Sequence, residues 1–231
     1  MSVPLLAATA AGIGALPEAG AAGFLDRLLP GDGTWELEIG FGKGRFLLAS
    51  AAARPQTRWL GIEVAGEYFR LAAGRASRRR LANVALLRGE ALYLLAAVLP
   101  AGFARRVHVY FPDPWPKARH LRRRLFSAAS VDLVLAALAP GGELCFATDF
   151  LDYGHEVEAI LRAAPGVAVE RLAGGWPEGP RTNYEAKYER EGRPIVRLIA
   201  RPEGAPSLHP DGAREVLVAL CRPAAGEDAP A

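Results

Sequence analysis

A chain of 231 residues with 51% apolar side chains is long for one average domain and short for two, and it has enough apolar surface to close a full core, which excludes a disordered chain. Its two cysteines, Cys145 and Cys221, exclude a disulfide framework and a cysteine-based metal site, and point to a reducing compartment, the cytoplasm. The net charge of +3 says little by itself, but Arg75, Arg78, Arg79 and Arg80 form one basic cluster, and Lys117, Arg119, His120, Arg122, Arg123 and Arg124 form another, as expected where a polyanion meets one face.

The first 17 residues carry no charge, no Lys or Arg precedes their apolar part, and Pro4, Gly12 and Gly14 interrupt it. They match neither a signal peptide nor a membrane span of about 20 strongly apolar residues, and they read as a flexible Ala-rich tail. Residues 18–29 hold a short amphipathic helix that ends at the turn Pro30-Gly31-Asp32-Gly33. Trp35–Ile39 reads as a buried strand that runs into Gly40-Phe41-Gly42-Lys43-Gly44 and then a helix over 43–53. Further strands are expected at 57–63, 84–88, 107–111 and 143–148. Helices are expected at 66–81, 91–98, 121–138 and 152–163. Two more extended runs, 167–172 and 194–201, flank a polar loop with Thr182-Asn183-Tyr184-Glu185. Alternating strands and helices predict a doubly wound, mostly parallel α/β sheet, with an antiparallel strand near the C-terminus. The domain is expected to span 18–202. Residues 203–231 read as a partly disordered extension, broken by an apolar run at 214–221.

In such a sheet, ligands sit at the carboxyl ends of the strands. Here these ends hold Gly40–Gly44, Glu63, Glu90, Asp113 and Asp149. The glycines at 40, 42 and 44 let the backbone turn sharply and approach a ligand, and the next helix offers unpaired N–H groups. The dinucleotide fingerprint needs a small third residue where this chain has Arg45, and the phosphate loop needs Ser or Thr after its lysine where this chain has Gly44. Glu63 is placed to accept hydrogen bonds from a ribose diol, and Glu38 suits a cation better than a phosphate. The combination points to S-adenosylmethionine, which has a ribose, an ammonium and a sulfonium but no phosphate.

The segment Phe111–Arg124, FPDPWPKARHLRRR, is stiffened by Pro112, Pro114 and Pro116. It presents Asp113 beside Trp115, which is able to stack an exposed base, with cations beyond it for phosphates. Taken singly, several of these residues have plainer readings. Asp149 fits a helix cap, Thr182 and Glu185 fit a capping box on a helix to about 190, and Lys117 fits a surface lysine.

LEIGFGKG, LGIE, FPDPWPKARHLRRR, ATD and TNYEAKYEREGRPI, in this order over about residues 34–200, resemble the tRNA (guanine-N7)-methyltransferase family. The resemblance implies a Rossmann-like class I methyltransferase fold and methyl transfer to guanine N7 in the tRNA variable loop, in a monomer or homodimer with no metal and no membrane partner. Glu38, Glu63 and the glycines 40, 42 and 44 match cofactor-binding positions. Glu90 stands where the family usually has Asp, near the adenine. Asp113 matches the active-site, cofactor-adjacent aspartate. Lys117, Asp149, Thr182, Asn183, Tyr184 and Glu185 match substrate-binding positions. The alternatives are another base or amide N-methyltransferase of the same fold, since D-P-W-P loosely resembles the D/N-P-P-Y/F/W loop of amino-group methyltransferases, and a non-catalytic tRNA-binding protein. An NAD-dependent oxidoreductase is disfavoured by Arg45.

Overall fold

The computed structural model describes residues 6–9, 12–15 and 23–204. Its centre is a parallel sheet with the order β5 (Val84–Arg88), β4 (Arg58–Glu63), β3 (Trp35–Ile39), β6 (Ala104–Tyr110), β7 (Leu138–Thr148). The strand order reverses beside β3, so the crevice of the fold opens at the carboxyl ends of β3 and β6. β9 (Val196–Pro202) pairs antiparallel with β7, and β8 (Val167–Arg171) pairs antiparallel with β9 at the edge. The antiparallel C-terminal strand is therefore β9.

Side-chain alternation sorts the sheet into two buried layers. Leu37, Ile39, Leu60, Val107, Val109, Leu144 and Phe146 pack with α1 (Phe24–Leu28), α4 (Ala91–Ala97), α5 (Val131–Ala136) and α6 (Leu151–Ala163). On the other face, Trp59 and Leu86 pack with α2 (Arg45–Ala53) and α3 (Gly66–Arg78), and Tyr110 and Cys145 pack with Trp176. Cys145 is the packed core thiol its apolar surroundings suggest, and burial raises its pKa. The same face carries Glu36, Glu38, His108 and Tyr110, because they alternate with the apolar residues of β3 and β6. The helix that carries Thr182–Glu185 in its first turn is α7 (Asn183–Arg190), capped by Thr182.

Two expectations need correction. The first 17 residues are not a loose tail throughout: β1 (Leu6–Thr9) and β2 (Gly12–Ala15) form an antiparallel hairpin, and β1 pairs with β5. Ala7 and Ala8 are both buried, one in each layer. Short Ala- and Gly-rich strands lack the β-branched, period-two signature that marks a strand in sequence. The helix expected over 121–138 does not form as one element. A 3-10 helix covers Ala118–Arg123, and α5 begins only at Val131. Between them the Ser130 hydroxyl donates to the Leu125 carbonyl (2.7 Å) and accepts from the Ser127 N–H (3.0 Å), a local turn that competes with a continuous helix. The apolar run at 214–221 and Cys221 lie outside the described residues.

Gly61 of β4 shows how closely the glycine turn rests on the sheet. A Cβ there would lie 2.6 Å from Phe41 Cδ1 and 2.9 Å from Leu86 Cδ2. Gly61→Ala should therefore destabilise the protein by about 1–3 kcal/mol through overpacking. A lower urea midpoint at unchanged m-value checks this, and an unchanged midpoint would show that Phe41 yields without cost.

Candidate functional site

The glycine turn after β3 has left-handed backbone at Gly40 (φ 75°), Gly42 (φ 50°) and Gly44 (φ 73°), which side chains strongly disfavour. A Cβ on Gly40 or Gly42 would meet nothing within 4 Å, so the turn faces open space. Glu63, at the end of β4, holds the turn in place. One carboxylate oxygen accepts the Gly42 N–H (2.8 Å) and the other accepts the Ala65 N–H (2.9 Å). Each oxygen keeps a lone pair for a diol.

Glu38 is buried at 3% exposure, and its Oε2 has no hydrogen-bond partner. Burial, with a smaller contribution from the Glu63 charge, raises its carboxyl to about 8 against the pull of the Leu47 N–H. A cation at that oxygen would satisfy both the missing partner and the charge.

Asp113 stands exposed in the loop after β6, between two non-glycine residues with left-handed backbone, Phe111 (φ 53°) and Trp115 (φ 39°). Such residues cost on the order of 1–3 kcal/mol each and persist only where their surroundings fix them. Phe111 is held by its N–H to the Ala147 carbonyl (2.7 Å), and Arg124 braces the Trp115 side. The Arg124 Nε donates to the Pro114 carbonyl (2.7 Å), its guanidinium lies 4.6 Å over the Tyr153 ring, and it pairs with Glu156. Arg124 is therefore buried and unavailable to phosphates, contrary to the reading of the whole basic run as a phosphate grip. Lys117 and Arg123 are exposed. Trp115 is engaged by its own loop, with His120 edge-on at 5.6 Å and the Arg123 guanidinium 5.0 Å over its ring.

The Thr182 hydroxyl accepts the Glu185 N–H (3.1 Å), as in a capping box, but the Glu185 carboxylate reaches the Arg181 N–H (2.8 Å), one residue upstream of the cap. Its other oxygen accepts the Arg197 Nε (2.7 Å). Glu185 is fully buried, so it anchors α7 to β9 and is not presented to a ligand. Asn183 Oδ1 accepts from the Arg45 guanidinium (2.6 Å). Tyr184 is 59% exposed, with its ring 6.1 Å from Phe111 and 6.2 Å from Tyr188. Asp149 is half-buried, and its charge contributes, after burial, to raising the Tyr188 phenol. It does not cap α6, since the Phe150 N–H goes to the Thr148 hydroxyl (3.2 Å) and the N-cap makes no side-chain bond. Glu90 is exposed and caps α4 through the Tyr93 N–H (2.7 Å). Among the described residues, no three His, Cys, Asp or Glu side chains group as metal ligands would, and no helix is long and apolar enough to cross a membrane.

Reading from sequence alone misses a buried polar chain beside this site. Arg54 from the end of α2 pairs with Glu36, whose Oε2 meets His108 Nε2 at 2.8 Å. His108 Nδ1 meets the Tyr110 hydroxyl at 2.8 Å, and Arg181 donates to that hydroxyl. Burial lowers His108 to about 4 despite Glu36, so the imidazole is neutral. Burial acts to raise Glu36, but the His108 and Arg54 bonds hold it below the ordinary carboxylate value. These states assign the tautomer: Nε2–H donates to Glu36 and Nδ1 accepts from Tyr110. Arg181 lies 4.0 Å over the Trp176 ring. Period-two alternation in β3 and β6 was the available signal for this row.

The matching family model, described as "Putative methyltransferase", covers residues 32–198. A tRNA (guanine-N(7)-)-methyltransferase of Alkalilimnicola ehrlichii is 40% identical over 193 residues, covering 82% of this chain and 81% of the relative. One of Nitrosococcus oceani is 37% identical over 166 residues, covering 70% and 69%. Among solved structures, the 16S rRNA methyltransferase KamB superposes with a TM-score of 0.59 at 15% identity, over 85% of this chain and 99% of that one. A Catenulisporales acidiphilia 16S rRNA (adenine(1408)-N(1))-methyltransferase mutant with cosubstrate SAM gives 0.56 at 16%, over 89% and 100%. These structural likenesses show the class I methyltransferase fold.

The Glu38 carboxyl titrates higher in the folded chain than in the unfolded one. Its contribution to stability is complete below about pH 4.5 and is lost as pH rises through about 8. Relative to Glu38→Gln, the unliganded wild type should lose stability across that window, approaching about 1.4 kcal/mol per pH unit. Parallel stability curves from pH 4.5 to 8 would refute the shift.

Proposed function

The chain belongs to the tRNA (guanine-N(7)-)-methyltransferase family, and from that premise we propose that it methylates guanine N7 at a variable-loop guanosine of tRNA, in the cytoplasm, with S-adenosylmethionine as donor. The observation that carries this reading is the unpartnered oxygen of Glu38 beside the open glycine turn, on the strand that pairs with β6, after which Asp113 follows. The residues fit the donor: Glu38 for its ammonium, the remaining lone pairs of Glu63 for its ribose diol, the space above Gly40 and Gly42 for its passage, and Glu90 toward the adenine. When bound, S-adenosylmethionine supplies the electrophilic methyl group.

Guanine N7 already has an in-plane lone pair, so no side chain has to remove a proton from it. The site needs no general base, and the role of Asp113 is to accept from guanine's donor edge and to compensate the charge that develops on the purine. Asp149 assists from the end of β7. Tyr184, Phe111 and Tyr188 give the base an aromatic wall. Thr182 and Asn183 contact the nucleoside from the start of α7, while Glu185 acts through position alone. Lys117 and Arg123 meet RNA phosphates.

Purified protein, unmodified tRNA and methyl-labelled S-adenosylmethionine should yield labelled 7-methylguanosine on nucleoside analysis. Asp113→Asn should lower kcat about 100-fold with cofactor affinity nearly unchanged. A different methylated nucleoside would overturn the base assignment, and full turnover by the variant would overturn the role of Asp113. Replacing Lys117 and Arg123 together by Ala should flatten the slope of log tRNA affinity against log salt by about 1–2. An unchanged slope would mean that these cations are only a solvated face.

A further inference from the structure

We propose that Arg45 is a positioning residue for methyl transfer: a strut that fixes the nucleoside-side residues Thr182 and Asn183 against the cofactor turn. The inference rests on the assignment of those two regions to S-adenosylmethionine and guanosine. Arg45 is the first residue of α2 and follows Gly44 directly, so its backbone belongs to the turn. Its guanidinium crosses to α7, donating to Asn183 Oδ1 at 2.6 Å and toward the Thr182 carbonyl at 3.4 Å. The next residue, Phe46, packs edge-on against Tyr110 at 5.1 Å and lies 5.6 Å beneath the Arg181 guanidinium. Two successive residues of one helical turn thus hold Arg181 and Asn183, which bracket Thr182. Arg181 is fixed from the other side by Tyr110 and Trp176.

The Arg45–Asn183 hydrogen bond is exposed to solvent, so it exchanges with water and adds little to stability. Its use is geometric. Methyl transfer needs nucleophile, methyl and leaving group in line, and a misplacement of about 1 Å costs on the order of 100-fold in rate. The two halves of this site belong to elements far apart in the chain, and Arg45 sets the distance between them.

The test measures single-turnover methyl transfer at saturating cofactor and tRNA, S-adenosylhomocysteine affinity by calorimetry, and the salt slope of tRNA binding, with thermal melting as a folding control. Arg45→Ala should lower the saturated rate about 10-fold or more. It should leave melting, cofactor-product affinity and salt slope nearly unchanged, and Arg45→Lys should recover part of the rate. In an Asn183→Ala background, Arg45→Ala should cost nothing further, because the two act as one unit. Multiplying losses in the double variant would overturn the strut. So would a defect confined to tRNA affinity with a salt slope reduced by about 1, which marks a phosphate contact. A defect confined to cofactor-product affinity would make Arg45 a cofactor ligand and overturn it as well. A wild type that transfers no methyl group would instead remove the functional reading itself.

Discussion

A sheet covered on both faces leaves no water for polar side chains that point out of it, and this sheet points a row of them into one layer. Glu36, His108 and Tyr110 are all buried there, and each must find its partners inside the protein. They find them in one another and in two guanidinia that arrive from opposite directions, Arg54 at the end of α2 and Arg181 just before α7. The requirement to satisfy these groups fixes the segment ahead of α7 over the sheet, and with it the place of Thr182. Glu38 belongs to the same row, one pleat further along β3, and it alone retains an oxygen with no partner. An unsatisfied buried acceptor costs roughly 1–3 kcal/mol, which a partner at that oxygen would recover. Within the row, only Glu38 is left incomplete.

The basic segment after β6 divides by direction. Arg124 turns inward, ties Pro114 to α6 through Glu156 and Tyr153, and supports the unfavourable backbone at Trp115 beside Asp113. Lys117 and Arg123 remain outside. One part of the run shapes the loop and another part meets solvent, so the loop's stiffness and its charge have different origins.

Much of this was legible in sequence because the signals are local. The strand, glycine turn and helix around Gly40, and the strand-end positions of Glu63, Asp113 and Asp149, follow from periodicity and turn chemistry. The N-terminal hairpin was not legible, because Ala7 and Ala8 are buried by pairing with β5 and not by any propensity of their own. The role of Glu185 was half legible. Its capping-box spacing with Thr182 is local, but its ion pair in the interior depends on Arg197, which reaches it from β9. The inward turn of Arg124 depends on Glu156 in the same way. Where a residue's partner comes from a distant element, spacing cannot show whether its charge faces solvent or the core.

The antiparallel placement of β9 has a consequence for the order in which the protein assembles. The glycine turn, Glu63 and Glu90 all precede β6 in the chain, whereas Asn183 meets Arg45 across 138 residues and Glu185 is joined to β9 through Arg197. Closing so large a loop carries an entropic cost that local contacts do not repay, so this pairing forms late. During synthesis, the glycine turn and Glu63 emerge from the ribosome well before α7 and β9. The nascent chain passes through a stage at which the Arg45 guanidinium has been made but its partner on α7 has not.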